Sequence, residues 1–156
     1  MRLRVLAVGQ KMPAWVDDGV AEYTRRMPKE YTVEWVDILP ARRGTGSSQR
    51  YREQEGEVIL SRLAETDYLV AMDVSGITIS TEKIADRFDK WQMQGQHVSI
   101  VIGGPDGLDP QVLKRSVEQW SFGRITLPHT LVRIILAEQL YRAWSVQVGH
   151  PYHRGN

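Results

Sequence analysis

Short apolar runs recur along the chain at residues 3–8, 32–38, 68–72, 98–102 and 120–127. Most of them are apolar nearly throughout rather than at every second position. That is the pattern of strands buried on both faces, as in a parallel sheet. The stretches between them change period. Val16, Val20, Tyr23 and Met27 are spaced four, three and four apart, which predicts an amphipathic helix opened by Pro13 and stopped by Pro28. Residues 53–63 predict a second helix with Val58, Ile59 and Leu63 inward, weakened by Gly56. Thr81 is a suitable N-cap for a third, with Ile84, Phe88 and Trp91 on one stripe and Gly95 closing it. Asp109 and Pro110 open a short fourth helix. Residues 131–148 form the longest, ended by Gly149 and Pro151.

The order is therefore strand and helix in alternation, which predicts an α/β domain with a parallel sheet covered on both faces. In such sheets ligands sit beyond the carboxyl ends of the strands. Asp73, which is expected to end the third strand before a Ser75-Gly76 turn, lies at such an end. So do Gly103 and Gly104 and the segment after the fifth strand. The chain of 156 residues suits one domain, residues 1–156, and no repeat or linker divides it.

Composition narrows the chemistry. There is no cysteine, so disulfides, zinc–thiolate sites and thiol nucleophiles are excluded. No acidic cluster suggests a metal. No apolar run approaches the ~20 residues that a membrane helix needs, and the opening run is too short for a signal-peptide core. A cytoplasmic protein without membrane attachment is expected. The net charge of +1 is too small for nucleic acid to be held by charge alone, so any RNA partner needs local clusters or a second copy of the chain.

Three segments carry candidate chemistry. Gly103-Gly104-Pro105-Asp106-Gly107 joins a strand to a helix, where glycines serve either a plain turn or the close approach of backbone amides to a ligand. It is neither a dinucleotide fingerprint nor a P-loop. Residues 40–48, with Arg42 and Arg43, are either a solvated mobile loop or a basic flap for RNA phosphates. The ending His150-Pro151-Tyr152-His153-Arg154 is either a frayed terminus or a cationic, aromatic arm that orders over a substrate. On the long helix, Glu138 and Arg142 are four apart and suit an ion pair, and the apolar breadth of that helix suits a homodimer interface.

The stretches LAVGQKMPAWVDDGVAEYTRRMP, IGGPDGL, ITLPHTLVRIILAEQLYRAWS and HPYHR resemble the ribosomal large subunit methyltransferase H family of the SPOUT superfamily. The resemblance runs over essentially the whole chain. It implies a fold that topology rules alone do not predict, a SPOUT α/β-knot whose C-terminal part is threaded into a deep trefoil knot. It also implies a homodimer, S-adenosyl-L-methionine as cofactor, and methylation of N3 of a pseudouridine in helix 69 of 23S rRNA within the assembled ribosome. By position, Met72, Gly103, Gly104, Phe122, Gly123, Arg124, Ile125, Thr126 and Leu127 would hold the cofactor. The attacking nitrogen carries a proton and is a poor nucleophile until that proton leaves, so the site needs alignment and a proton acceptor. His153 is then a candidate base, Arg154 a stabiliser of the developing anion and Tyr152 a stacking or hydrogen-bonding group. His129, Arg133, Arg142 and His150 would position RNA or brace the site.

Two other classes remain. A flavin- or nucleotide-binding α/β domain would bind its cofactor tightly, although the glycine fingerprint is missing. A non-catalytic ribosome- or RNA-binding protein retaining the SPOUT fold would bind RNA without turnover.

Overall fold

The computed structural model describes residues 1–154. Five strands form one sheet: β1 (Arg2–Val8), β2 (Val33–Ile38), β3 (Tyr68–Thr78), β4 (His97–Ile102) and β5 (Glu118–Ser121). Every pairing is parallel, in the order β2-β1-β4-β3-β5. The helices between them are α1 (Ala14–Thr24), α2 (Ser48–Ser61), α3 (Thr81–Met93), α4 (Pro110–Arg115) and α5 (His129–Val148). The apolar runs thus became the expected parallel sheet with helices on both faces.

Because neighbouring side chains of a strand point to opposite faces, each buried strand feeds two cores. Leu3, Val5 and Ala7 of β1 join Ile84, Phe88 and Trp91 of α3 and Leu136, Leu140 and Ala143 of α5. Leu6 and Val8 join Ile59 of α2 and Val112 of α4 on the other face. α1 packs along α5 on the first face, close enough that a Cβ on Gly19 would lie 2.9 Å from Ile134 Cδ1. No helix among the described residues is long and apolar enough to cross a membrane.

Four boundaries depart from the sequence expectation. β3 does not end at Asp73. Its apolar run stops there, but backbone pairing to β5 resumes at Ile77 and Thr78 after a register break that begins at Met72. The expected Ser75-Gly76 turn is this bulge, and a Cβ at Gly76 would meet the Gln119 backbone at 2.6 Å. β5 is only Glu118–Ser121. Ser121 Oγ accepts from Gly123 N at 3.2 Å, Gly123 takes φ +118°, and the chain leaves the sheet. The apolar residues after it line a cleft instead of joining the sheet. α2 starts earlier than expected, because Ser47 accepts from Arg50 N at 3.2 Å and caps it. Ser80, rather than Thr81, caps α3 in the same way.

Candidate functional site

A cleft of about 760 Å³ opens at the bulge of β3 and beyond the carboxyl ends of β4 and β5. Met72, Asp73 and Val74 reach it from the β3 bulge, Ile102, Gly103, Gly104 and Gly107 from the end of β4, and Trp120 and Ser121 from the end of β5. Phe122, Gly123, Ile125 and Leu127 follow from the departing segment, and His129 and Val132 from the first turn of α5. Neighbouring β3 and β4 send the chain to opposite faces, toward α3 and α4, and such a reversal leaves a crevice.

The glycine loop is built to keep its backbone bare. Gly107 N donates to Gly104 O at 3.0 Å, with Gly107 at φ +81°. A Cβ on Gly103 would sit 2.9 Å from the Gly107 carbonyl carbon. The loop is also latched from outside. Arg43 donates through Nη1 to Glu55 Oε2 and through Nη2 to Asp106 Oδ2, each at 2.6 Å. Its guanidinium lies 4.9 Å from the Tyr51 ring centroid, and the Tyr51 hydroxyl accepts from Gly44 N at 2.6 Å. Residues 40–48 are therefore not a free flap at Arg43, which is spent on the glycine loop. The opposite neighbour, Arg42, makes no hydrogen bond among the described residues.

Of the residues expected at a cofactor site, Met72, Gly103, Gly104, Phe122, Gly123, Ile125 and Leu127 line the cleft, whereas the exposed Arg124 and Thr126 do not. Asp73, Gly107, Trp120, Ser121 and Val132 line it as well. Asp73 had a usable signal, its place at a strand end. Trp120 did not, since its indole is fully buried and reads as core.

The cationic tail takes an ordered position. Pro151–Arg154 form one 3₁₀ turn that folds back on α5 after Gly149, which sits at φ +72°. Tyr152 packs on Tyr141, the rings tilted by 57° with centroids 4.6 Å apart, and donates to Glu138 Oε2 at 3.1 Å. The expected Glu138–Arg142 ion pair is present at 2.8 Å, and the Arg142 guanidinium covers the Tyr152 ring. Burial, then the Glu138 carboxylate, push the Tyr152 phenol up to about 12, so it stays a neutral donor. His153 Nδ1 contacts the His150 carbonyl, and His150 packs on Trp144. Arg154 is exposed. Of the two readings of this ending, the packing that Tyr152 supplies goes against a frayed terminus.

Tail and cleft lie at opposite ends of α5. Its 20 residues rise by about 1.5 Å each, so the far end of the helix is about 28 Å from His129, and Tyr152, folded back to Glu138, stands about 14 Å from it along the axis. One protomer does not bring Tyr152, His153 or Arg154 to its own cleft. Nor are the four residues expected to meet RNA one cluster. His129 lines the cleft, and burial followed by the Arg133 charge hold its imidazole below the usual range. Arg133 is 4% exposed and paired with Asp37 at 3.2 Å, while Arg142 and His150 belong to the tail end.

The chain matches, over residues 1–153, a family model described as "Predicted SPOUT methyltransferase". Among curated proteins it is similar to the ribosomal RNA large subunit methyltransferase H of Chromohalobacter salexigens, 49% identical over 99% of this chain and 100% of the relative. The protein of that name from Hahella chejuensis is 45% identical over 99% of both chains. That of Acidithiobacillus ferrooxidans is 50% identical over 99% of this chain and 98% of the relative.

Proposed function

The chain belongs to the SPOUT methyltransferase family, and from that premise we propose that it methylates ribosomal RNA of the large subunit with S-adenosylmethionine as donor. The target we propose is N3 of a pseudouridine in helix 69 of 23S rRNA. The observation that carries the reading is the cleft where the β3 bulge and the ends of β4 and β5 meet. Its chemistry fits the donor. Met72, Phe122, Ile125 and Leu127 offer apolar surface for an adenine ring. Gly103, Gly104 and Gly123 bring backbone without side chains to the lining, and a Cβ at Gly103 would collide with the loop itself. Asp73, the one carboxylate lining the cleft, suits the positive charge of a sulfonium. Bound there, the cofactor supplies an electrophilic methyl carbon.

None of the tail residues lines the cleft of its own protomer, and this sets a further condition. If Tyr152, His153 and Arg154 act on substrate, they act at the cleft of a second copy. We propose a homodimer in which α5 supplies the contact. Leu131 and Val146 are exposed on one side of it and Trp15 is exposed on neighbouring α1. Pairing would also gather two tails and two Arg42 side chains, which answers the near-neutral charge of a single chain. The trefoil threading of the segment from β4 to α5 belongs to the same proposal.

The test is transfer of a labelled methyl group from S-adenosylmethionine to 70S ribosomes lacking the modification, beside 50S particles and free rRNA. Transfer preferring the 70S particle supports the reading. Ribosome binding without transfer would instead favour a non-catalytic RNA-binding protein. Mixed dimers test the shared site: a Gly103→Ala chain and an Arg154→Ala chain, each impaired alone, should regain part of the activity when combined.

A further inference from the structure

The sheet carries a second crevice that the donor site does not use. β1 leads to α1 on one face while its neighbour β4 leads to α4 on the other. This is a second reversal of the kind that opens ligand sites, on the far side of β4 from the cleft described above. The crevice holds about 1180 Å³. Met12, Leu39 and Pro105 give it apolar walls, and Gln10 and Arg42 give it a polar edge with no carboxylate. Leu39 is 77% exposed, an apolar side chain held out against nothing.

One side chain lines both cavities, His129. Its Nδ1 is buried without a partner. Beside it the buried Arg133 leaves Nε and Nη2 unpartnered and has only the exposed Asp37 as counter-ion. Gly9 keeps this corner open, for a Cβ there would lie 2.7 Å from Arg133 Nη2 and 3.0 Å from His129 Cε1. Unpaired buried polar atoms of this kind carry a desolvation cost unless a ligand completes them.

We propose that this crevice receives the flipped-out target base of the RNA and that His129 is the catalytic residue accepting the proton of the nitrogen that is methylated. The inference rests on the methyltransferase reading given above. A base that is to be modified must leave its stack, and flat apolar walls with a few polar groups are what such pockets offer. The Gln10 amide both donates and accepts, which suits a ring edge of carbonyl, N–H and carbonyl. The step balances: the ring N–H proton passes to the imidazole, the freed nitrogen pair bonds the methyl carbon, and the carbon–sulfur pair returns to sulfur. Burial and the Arg133 charge keep His129 neutral, with an unprotonated ring nitrogen, and disfavour the imidazolium, so the proton it takes passes on readily. The charged groups sharing its surroundings are Arg133, Asp37, Asp73, Arg42 and Arg43, of which Arg43 is already paired.

The experiment uses the full chain, calorimetry with S-adenosylmethionine, sedimentation with ribosomes, and labelled methyl transfer. Met12→Trp fills the crevice without entering the donor cleft. Cofactor and ribosome affinities should stay within about threefold while turnover falls at least about 100-fold. Leu39→Trp, at an exposed position, narrows the same crevice and guards against a folding failure of the first variant. His129→Gln should lower turnover by about 10²–10⁴ and recover roughly tenfold per pH unit toward alkaline pH, as the ring nitrogen loses its proton unaided. Wild-type turnover in both crevice variants overturns the pocket. A pH-recoverable loss in His153→Gln instead of His129→Gln overturns the base. An unmutated chain that binds cofactor but labels no ribosome defeats the proposed substrate first, and this inference with it.

Discussion

Replacing Arg43 by methionine removes the latch between the loop after β2, helix α2 and the glycine loop. The loss is dominated by Glu55, whose side chain is 3% exposed. Its Oε2 accepts from Arg43 at 2.6 Å and from Ala41 N at 2.9 Å, and its Oε1 is already buried without a partner. Without the guanidinium the carboxylate keeps one neutral donor in a dry site. Breaking a fully buried pair costs about 3–5 kcal/mol. Arg43 is one-third exposed, so water recovers part of this, and we expect a loss of about 2–3 kcal/mol. For a domain of this size that is a fall in melting temperature of about 4–12 °C. Urea unfolding and thermal melts read it directly. Glu55→Gln supplies the control, because a neutral amide needs no cation. The double variant should therefore be more stable than Arg43→Met alone. Asp106 is released at the same time, so cofactor affinity should weaken several-fold. An Arg43→Met protein within about 0.5 kcal/mol of the parent, or a double variant no better than the single one, would refute the latch.

Further outcomes follow from single contacts. Gly103→Ala places a Cβ against the Gly107 backbone, which has no flexible end to give way, and should lower cofactor affinity at least about tenfold by calorimetry. Arg154→Ala should leave melting temperature and cofactor affinity unchanged while turnover falls; equal losses in affinity and turnover would count against its place over the substrate. Burial, then Glu118, push the Tyr68 phenol up to about 12, above the ~10 of an unfolded chain. The raised value adds stability that is fully present below about pH 10 and lost as pH rises through about 12. Tyr68→Phe should flatten that alkaline decline in thermal melts, and an unchanged decline would assign it to another group.

Strands and helices were legible wherever burial alone decided them. Residues 98–102 are apolar because both faces of β4 are covered, and the stripe of Ile84, Phe88 and Trp91 is the inward face of α3. The reading failed where apolar residues serve a ligand cleft rather than the sheet. Ile125 and Leu127 look like strand residues, yet the chain has already turned away at Gly123. It also failed where backbone pairing outlasts the apolar run, as in β3 beyond Met72. The places of Asp73, Gly103 and Gly104 at the cleft were legible from the rule that ligands lie at strand ends, and that of Met72 from the family resemblance. The fate of charges was not, because partners distant in sequence decide it. Arg43 is held by Glu55 and Asp106, Arg133 by Asp37, and Tyr152 by Glu138. The separation of tail and cleft was not legible either, because it depends on how the tail folds back on α5.

The measurement that bears most directly on the whole account is the position of the methyl group. Ribosomes lacking the modification are incubated with the protein and labelled S-adenosylmethionine, and the 23S rRNA is digested and mapped by mass spectrometry. The account predicts one labelled nucleotide, a pseudouridine in the helix 69 hairpin carrying the methyl on N3. Label on another base or another atom, or no label from a protein shown to bind the cofactor, would contradict it.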